Sequence, residues 1–319
     1  MISNNTEWFD ISRGHEEWLQ LFHQVFGTEM SEDFWRWKYR DVPKIGVALR
    51  KEGKLIAFYG GMPRNILFKG ESMQAVQMGD VMVHPSERGA FTRKGAFWKV
   101  ASGYIGTMVG EGNTYAIAFG FPNQRAYMLG KRLDLYDAVD SLVELSWKIS
   151  PKVSLSLWRA REYRACDMHY VPKIWQKMKE SLADSILGVR DGQWLRERYL
   201  DHPDTPYKII SIYRYGSKKV HGIAVLRDRG ESGMECLDIF GDVKDIKRLW
   251  GAVYRYTLGQ GSQRLFCWIT NSHQRFFQPT QPHVVPIDIV IPFNVLTAGI
   301  SPDEVRNRWW LMAGDTDFR

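Results

Sequence analysis

Apolar residues at Phe97, Val100, Ala101, Tyr104, Ile105, Met108 and Val109 recur at i, i+3, i+4, i+7, i+8, i+11 and i+12. This period predicts a helix with one apolar face. Directly before it, Asp80-Val81-Met82-Val83 reads as a strand that Pro85 ends. Tyr115 to Phe121 is a second apolar strand, closed by Pro122-Asn123, and Gln124 to Leu133 has helical spacing. The strand–turn–helix–strand order returns in the second half. Ile246, Leu249, Trp250, Val253, Tyr254, Thr257 and Leu258 repeat the helical stripe, and Leu265 to Ile269 repeats the strand after it.

A second match lies upstream. Arg36, Tyr39, Asp41 and Pro43 find the same residue types at Arg196, Tyr199, Asp201 and Pro203, and Lys54 to Phe58 lines up with Lys219 to Ile223. In each copy a Trp-rich helix runs to a Pro and two strands follow, with Gly53 and Gly216 in the loops between them. A duplicated αββ…βαβ unit accounts for this order. The reading predicts an α+β chain of two domains, residues 1–145 and 146–319, with a connector over Ser141 to Ser185 that carries the basic run Arg159 to Arg164.

The copies differ at the turn before the helix. In the first it holds Arg88, Arg93, Lys94 and the glycines Gly89 and Gly95. A helix N-terminus carries unpaired N–H groups and partial positive charge, and glycines let a ligand approach the backbone, which suits a pyrophosphate. In the second copy the turn reads Gly241-Asp242-Val243-Lys244-Asp245, whose carboxylates cap a helix and repel an anion. The second half is then left as a substrate wall, a structural partner or a homodimer surface.

The first half, through its V-x-P strand end Val83-His84-Pro85, the loop start Arg88-Gly89 and the N-x-x-A helix start Asn123-Gln124-Arg125-Ala126, resembles the GNAT acyltransferase superfamily over roughly residues 10–140. The resemblance implies two GNAT-like domains, each a mixed, mostly antiparallel sheet flanked by helices, with the C-terminal copy degenerate. It implies that acetyl-CoA is the acyl donor and a small-molecule primary amine, such as an amino sugar or amino acid, the acceptor. Backbone at Val81, Met82 and Val83 would grip the pantetheine arm. Arg88, Gly89, Ala90, Phe91, Thr92, Arg93, Lys94, Gly95 and Ala96 would hold the pyrophosphate, and Asn123 would touch the cofactor while capping its helix.

The chemistry needs a base for the amine and a proton for the thiolate. Asp80, on the strand beside the expected thioester, is the first candidate base; Glu87 and His84 are weaker ones. The family's tyrosine position is Gly130 here, which leaves Tyr127 and Tyr136 as candidate acids. The strand Phe58 to Arg64 is interrupted by a glycine pair, which predicts a bulge or a close backbone approach. The acidic tail Gly314 to Phe318 reads as solvated.

Composition narrows the alternatives. The 319 residues are 44% hydrophobic and 13% aromatic with 13 Trp, which supplies a sizeable core. The net charge is +7; residues 1–150 carry 18 Lys and Arg against 17 Asp and Glu, the remainder 25 against 19. That excess suits an anionic cofactor and does not require nucleic acid. Cys166, Cys236 and Cys267 are far apart, which argues against a disulfide framework or zinc site; no metal is expected, and a cytoplasmic setting is. The N-terminal residues are polar, and the apolar stretch Val284 to Leu296 is broken by Pro286, Asp288 and Pro292, so no spanning helix is expected. The rival readings are a Fem-like aminoacyl transferase, a long-chain acyl transferase and a non-catalytic CoA-binding module.

Overall fold

The computed structural model of the chain describes residues 6–9, 11–39, 45–89, 92–151 and 156–316. It divides into two compact units. The first comprises 1–66, 72–140 and 288–306, the second 67–71, 141–287 and 307–319.

The first unit runs β1 (Thr6–Trp8), α1 (Ile11–Phe26), α2 (Glu32–Tyr39), β2 (Gly46–Lys51), β3 (Lys54–Phe68), β4 (Glu71–Val83), α3 (Ala96–Met108), β5 (Ile117–Gly120), α4 (Gln124–Arg132) and the start of β6 (Tyr136–Lys148). Its sheet has the order β1-β2-β3-β4-β5; β1/β2 and β2/β3 are antiparallel and β4/β5 parallel. Successive strand residues point to opposite faces. Val47, Leu49, Ala57, Tyr59, Val76 and Ala118 pack against α3 through Val100, Ala101, Tyr104 and Ile105. Ala48, Phe58, Met62 and Met82 pack on the other side with Trp18 and Leu21 of α1 and Trp35 and Tyr39 of α2. The expected close approach at the glycine pair is present: a Cβ on Gly60 would lie 2.0 Å from the Ile45 carbonyl oxygen, and one on Gly61 2.4 Å from that of Gln77.

The second unit contains β7 (Trp158–Glu162), α5 (Val171–Ser181), β8 (Ile186–Gly188), α6 (Gly192–Leu195), β9 (Lys208–Arg214), β10 (Val220–Asp228), β11 (Met234–Gly241), α7 (Ile246–Gly259) and β12 (Arg264–Thr270). Next come β13 (His283–Asn294), α8 (Pro302–Val305) and β14 (Trp309–Trp310). The second sheet has the order β13-β6-β12-β11-β10-β9-β7, with β11/β12 parallel and β9/β10/β11 antiparallel. Leu249, Trp250 and Val253 of α7 close one face over Ile210, Ile212, Ala224, Cys236 and Cys267. The fold is two mixed sheets, each flanked by helices.

Two expectations are corrected. The stretch 141–185 is not a connector, because β6, β7 and α5 lie in it; β6 pairs with β12 from Leu142 to Lys148 and buries Val143, Leu145 and Trp147. Nor does one cut near residue 145 separate the units. The segment Asp288–Arg306 belongs to the first. Its backbone is tied there by Val290 N–H to the Pro122 carbonyl (3.0 Å), Val295 N–H to Leu135 (3.1 Å) and Ala298 C=O to the Glu111 N–H (2.9 Å).

Candidate acyl-donor site

The parallel pair β4/β5 holds register from Ala75↔Ile117 to Met78↔Gly120 and stops there. β4 continues through Gly79–Val83 with no β5 partner, so the two strands part at their C-terminal ends, where α/β folds bind ligands. At the parting point Asp80 adopts φ +49°, a left-handed conformation rare for a non-glycine residue, which breaks the regular strand. Val81 and Val83 lean on the α3 face while Met82 is fully buried on the α1/α2 face.

The chain then makes one 3-10 turn, Pro85–Glu87, passes the basic segment and enters α3. Gly95 is the N-cap of α3 and supplies no side-chain cap, so the first-turn N–H groups lack the acceptor that a Ser or Asp would provide. Gly89 sits at φ +122°, where only glycine is unstrained, and nothing lies within 4 Å of its missing Cβ. The expected cations are not all directed to one ligand. The Arg88 Nε donates to the Val83 carbonyl (3.0 Å), and Arg93 pairs with Asp134 (2.6 Å) while lying over the Trp98 ring. Lys94 is exposed and makes no ion pair among the described residues. Thr92 accepts the Lys94 N–H and its carbonyl accepts that of Gly95, which shapes the turn entering Ala96. Ala90 and Phe91 lie outside the described residues. Glu87 is tied to Lys51 (2.9 Å), and His84 caps its own turn through Ser86.

Asp80, the expected base, is already engaged. The Lys38 ammonium lies 2.6 Å from its Oδ2, with both side chains nearly buried, and the Tyr39 hydroxyl donates to the same oxygen at 2.5 Å. Both contacts fall on the same carboxylate oxygen and fix the Asp80 side chain against α2. The second unit repeats this arrangement. Asp238 on β11 accepts the Tyr199 hydroxyl (3.0 Å) and the buried Arg190 guanidinium (3.0 Å), which also pairs with Asp315 (2.6 Å). Tyr39 and Tyr199 are the tyrosines of the sequence repeat. The tail expected to be solvated is therefore buried through Asp315 and Thr316, because Arg190 and Arg198 claim its carboxylate and carbonyls.

The tyrosines separate clearly. Tyr127 is buried with Lys131 over its ring, and its hydroxyl makes no hydrogen bond among the described residues. Tyr136, at the start of β6, packs on Gly130: a Cβ there would meet its ring at 2.1 and 2.2 Å. Its ring thus uses the space that the absent Gly130 side chain leaves. Its hydroxyl is hydrogen-bonded to that of Tyr59, which is fully buried. Burial pushes both phenols above the ordinary tyrosine value, so both stay protonated at neutral pH. Arg306 braces the start of β6 through Asp137 and the Ala138 carbonyl.

Asn123 is spent as the N-cap of α4, accepting the Ala126 N–H at 2.9 Å, and Asp288 accepts the adjoining Gln124 N–H. Sequence reasoning did not pick out Lys38, Tyr59 or Asp288. Only the repeated tyrosine, Tyr39 matching Tyr199, hinted at the strand aspartates. In the second unit the corresponding turn carries carboxylates instead of glycines: Asp242 accepts the Lys244 N–H, and Asp245, the N-cap of α7, makes no side-chain cap bond and pairs with Arg248. Among the described residues no group of three or more His, Cys, Asp or Glu could hold a metal ion, and no helix is long and apolar enough to cross a membrane.

A family model for the acetyltransferase (GNAT) domain matches residues 12–128. No curated protein sequence matches the chain. Among solved structures, a conserved protein from Enterococcus faecalis, titled a probable N-acyltransferase, is similar at TM-score 0.69 and 13% identity, over 90% of this chain and 71% of that one. The GCN5-related N-acetyltransferase from Anabaena variabilis is similar at TM-score 0.66 and 9% identity, over 91% of this chain and 73% of that one. Saccharomyces cerevisiae N-myristoyltransferase with bound myristoyl-CoA is similar at TM-score 0.59 and 10% identity, over 97% of this chain and 89% of that one. At these identities the likeness is one of fold.

Proposed function

We propose, from the match of residues 12–128 to the acetyltransferase (GNAT) domain model, that the first unit transfers an acetyl group from acetyl-CoA to a primary amine of a small molecule. The observation that carries the reading is the parting of β4 from β5 just ahead of a helix N-terminus with no side-chain cap. The open β4 backbone at Val81–Val83 suits the pantetheine amides, and the turn from Arg88 to Ala96 suits the pyrophosphate, mainly through N–H groups and Lys94.

In this reaction the amine nitrogen attacks the thioester carbonyl. The N–C bond forms as the C–S bond breaks, the amine loses a proton and the thiolate gains one. We assign the thiolate's proton to Tyr136, and the proton that the amine gives up, carried by water, reprotonates the phenolate. It is protonated at neutral pH, partly exposed, and backed by the Tyr59 hydroxyl, which can donate to the phenolate as it forms. Asp80 takes a positioning role in this reading: with Lys38 and Tyr39 it pins β4 where the strands part. The two halves are read as copies of one unit, the second without its anion site, in a reducing cytoplasmic setting.

Calorimetric titration with acetyl-CoA, with a long-chain acyl-CoA alongside, tests the donor. One acetyl-CoA site per chain is expected. Preference for the long chain would move the function to lipid-acyl transfer, and binding of neither would remove acyl-CoA as the donor.

A further inference from the structure

The basic run at Arg159–Arg164 lies in the second unit, outside the turn assigned to the acyl donor, and its first arginine belongs to a cationic tip at the β7 edge of the second sheet. The β7/β9 register sets Trp158 opposite Arg214, and the Tyr215 N–H donates to the Leu157 carbonyl at 2.6 Å. Leu157 and Tyr215 are thereby neighbours. At 51% and 71% they are the most exposed large hydrophobic side chains among the described residues.

Cations surround this pair. The guanidinium groups of Arg159 and Arg255 both donate to the Trp158 carbonyl, at 3.1 and 2.9 Å. Burial, and then repulsion from Arg159, lower the pKa of Arg255, as expected for two like charges near each other without a counter-ion. Lys218 and Lys219 stand exposed in the turn that carries Tyr215. None of Arg159, Arg214, Lys218, Lys219 or Arg255 pairs with a carboxylate among the described residues, and no Asp or Glu occurs from Lys208 to Arg227. Asp245 acts on His221, whose ring packs on Trp158, while Glu162 stands at the other end of β7, opposite Ile210.

We propose that this tip docks the protein on an anionic bilayer surface, with Leu157 and Tyr215 entering the headgroup layer and the surrounding cations meeting lipid phosphates and carboxylates. An aliphatic side chain just before β7 and an aromatic one just after β9, exposed side by side among cations that pair with no carboxylate among the described residues, match an interface of anionic headgroups over hydrocarbon. Single-stranded nucleic acid would instead call for stacking platforms, and Leu157 has no π face to offer. The proposal does not depend on the acyl-transfer reading.

The test is co-sedimentation of the full chain with phosphatidylcholine vesicles, with and without phosphatidylserine. Binding only to the anionic vesicles, released by salt, is expected. The double variant Lys218→Glu/Lys219→Glu should weaken it about tenfold or more. Leu157→Ser should also weaken it, and both variants should keep the wild-type melting temperature because all three side chains are exposed. No binding, equal binding to neutral vesicles, or binding unchanged by both variants overturns the proposal. Retention on a single-stranded oligonucleotide without vesicle binding overturns it as well and reassigns the tip.

Discussion

The turn between β4 and α3 and the turn between β11 and α7 join the same kinds of element and offer opposite chemistry. Each follows a strand paired in parallel with the strand beyond the helix. In the first, Gly95 leaves the helix N-terminus without a side-chain acceptor and Gly89 relaxes the approach. In the second, Asp242 accepts the Lys244 N–H and Asp245 places a carboxylate at the helix start, where it makes no cap bond and is tied to Arg248. The β-sheet edge differs too. β5 ends its sheet, whereas β12 is covered by β6 from Arg264 to Thr270. A buried βαβ framework is thus compatible with either chemistry, and a few turn residues decide which. The strand aspartates teach the converse. Asp80 and Asp238 both accept a tyrosine and a buried cation, although only one unit has an open turn, so this element serves the framework.

The largest expected effect tests that parallel. Asp238→Asn leaves the fully buried Arg190 short of its partner and should cost about 3–5 kcal/mol in urea unfolding. Asp80→Asn should also destabilise, by less, since Asp80 is not wholly enclosed. Full stability with abolished turnover would instead make Asp80 the base and break the parallel.

Next comes acid sensitivity of the second unit. Burial lowers the pKa of His273 to about 4, with its nitrogens bonded to Ser185 and Ser272. The unfolded chain takes up that proton first. Stability present above the ordinary histidine value should therefore be lost as pH falls from there toward 4, by about 3 kcal/mol. Unfolding midpoints of wild type and His273→Gln should converge as pH falls; parallel curves would assign the acid loss elsewhere.

Gly95→Asp would give the first turn the second turn's chemistry. It should weaken acetyl-CoA binding roughly 100-fold while leaving the melting temperature equal or higher, because Asp is a good N-cap. Unchanged affinity would show that the donor does not use this helix end. Tyr136→Phe should lower kcat about 100-fold and leave donor affinity alone. Gly130→Ala, whose Cβ would strike the Tyr136 ring, should act in the same direction, and full activity in both would remove Tyr136 from the reaction. The smallest effect is expected for Asp242→Ala: about 1 kcal/mol of stability from the lost cap, and no gain of acetyl-CoA binding.

Much of this framework was legible along the chain. The helical stripe from Phe97 became α3, the one from Ile246 became α7, and the strands before and after each were anticipated, because local periodicity reports which face is buried. The contrast between the two turns was legible for the same reason: charge and glycine at a helix start act over a few residues. Other features needed the folded chain. Sequence cannot show that Asp80 would find Lys38, that Tyr136 would settle on Gly130 and reach Tyr59, or that Asp288–Arg306 would return to the first unit. These pairings join residues far apart in sequence, and packing at the end of a strand or against a bare glycine selects them. Local pattern thus determined the elements and the sign of charge at each turn. Tertiary structure decided which side chains are already engaged and which remain able to act on a substrate, since burial and partner geometry exist only once distant segments meet.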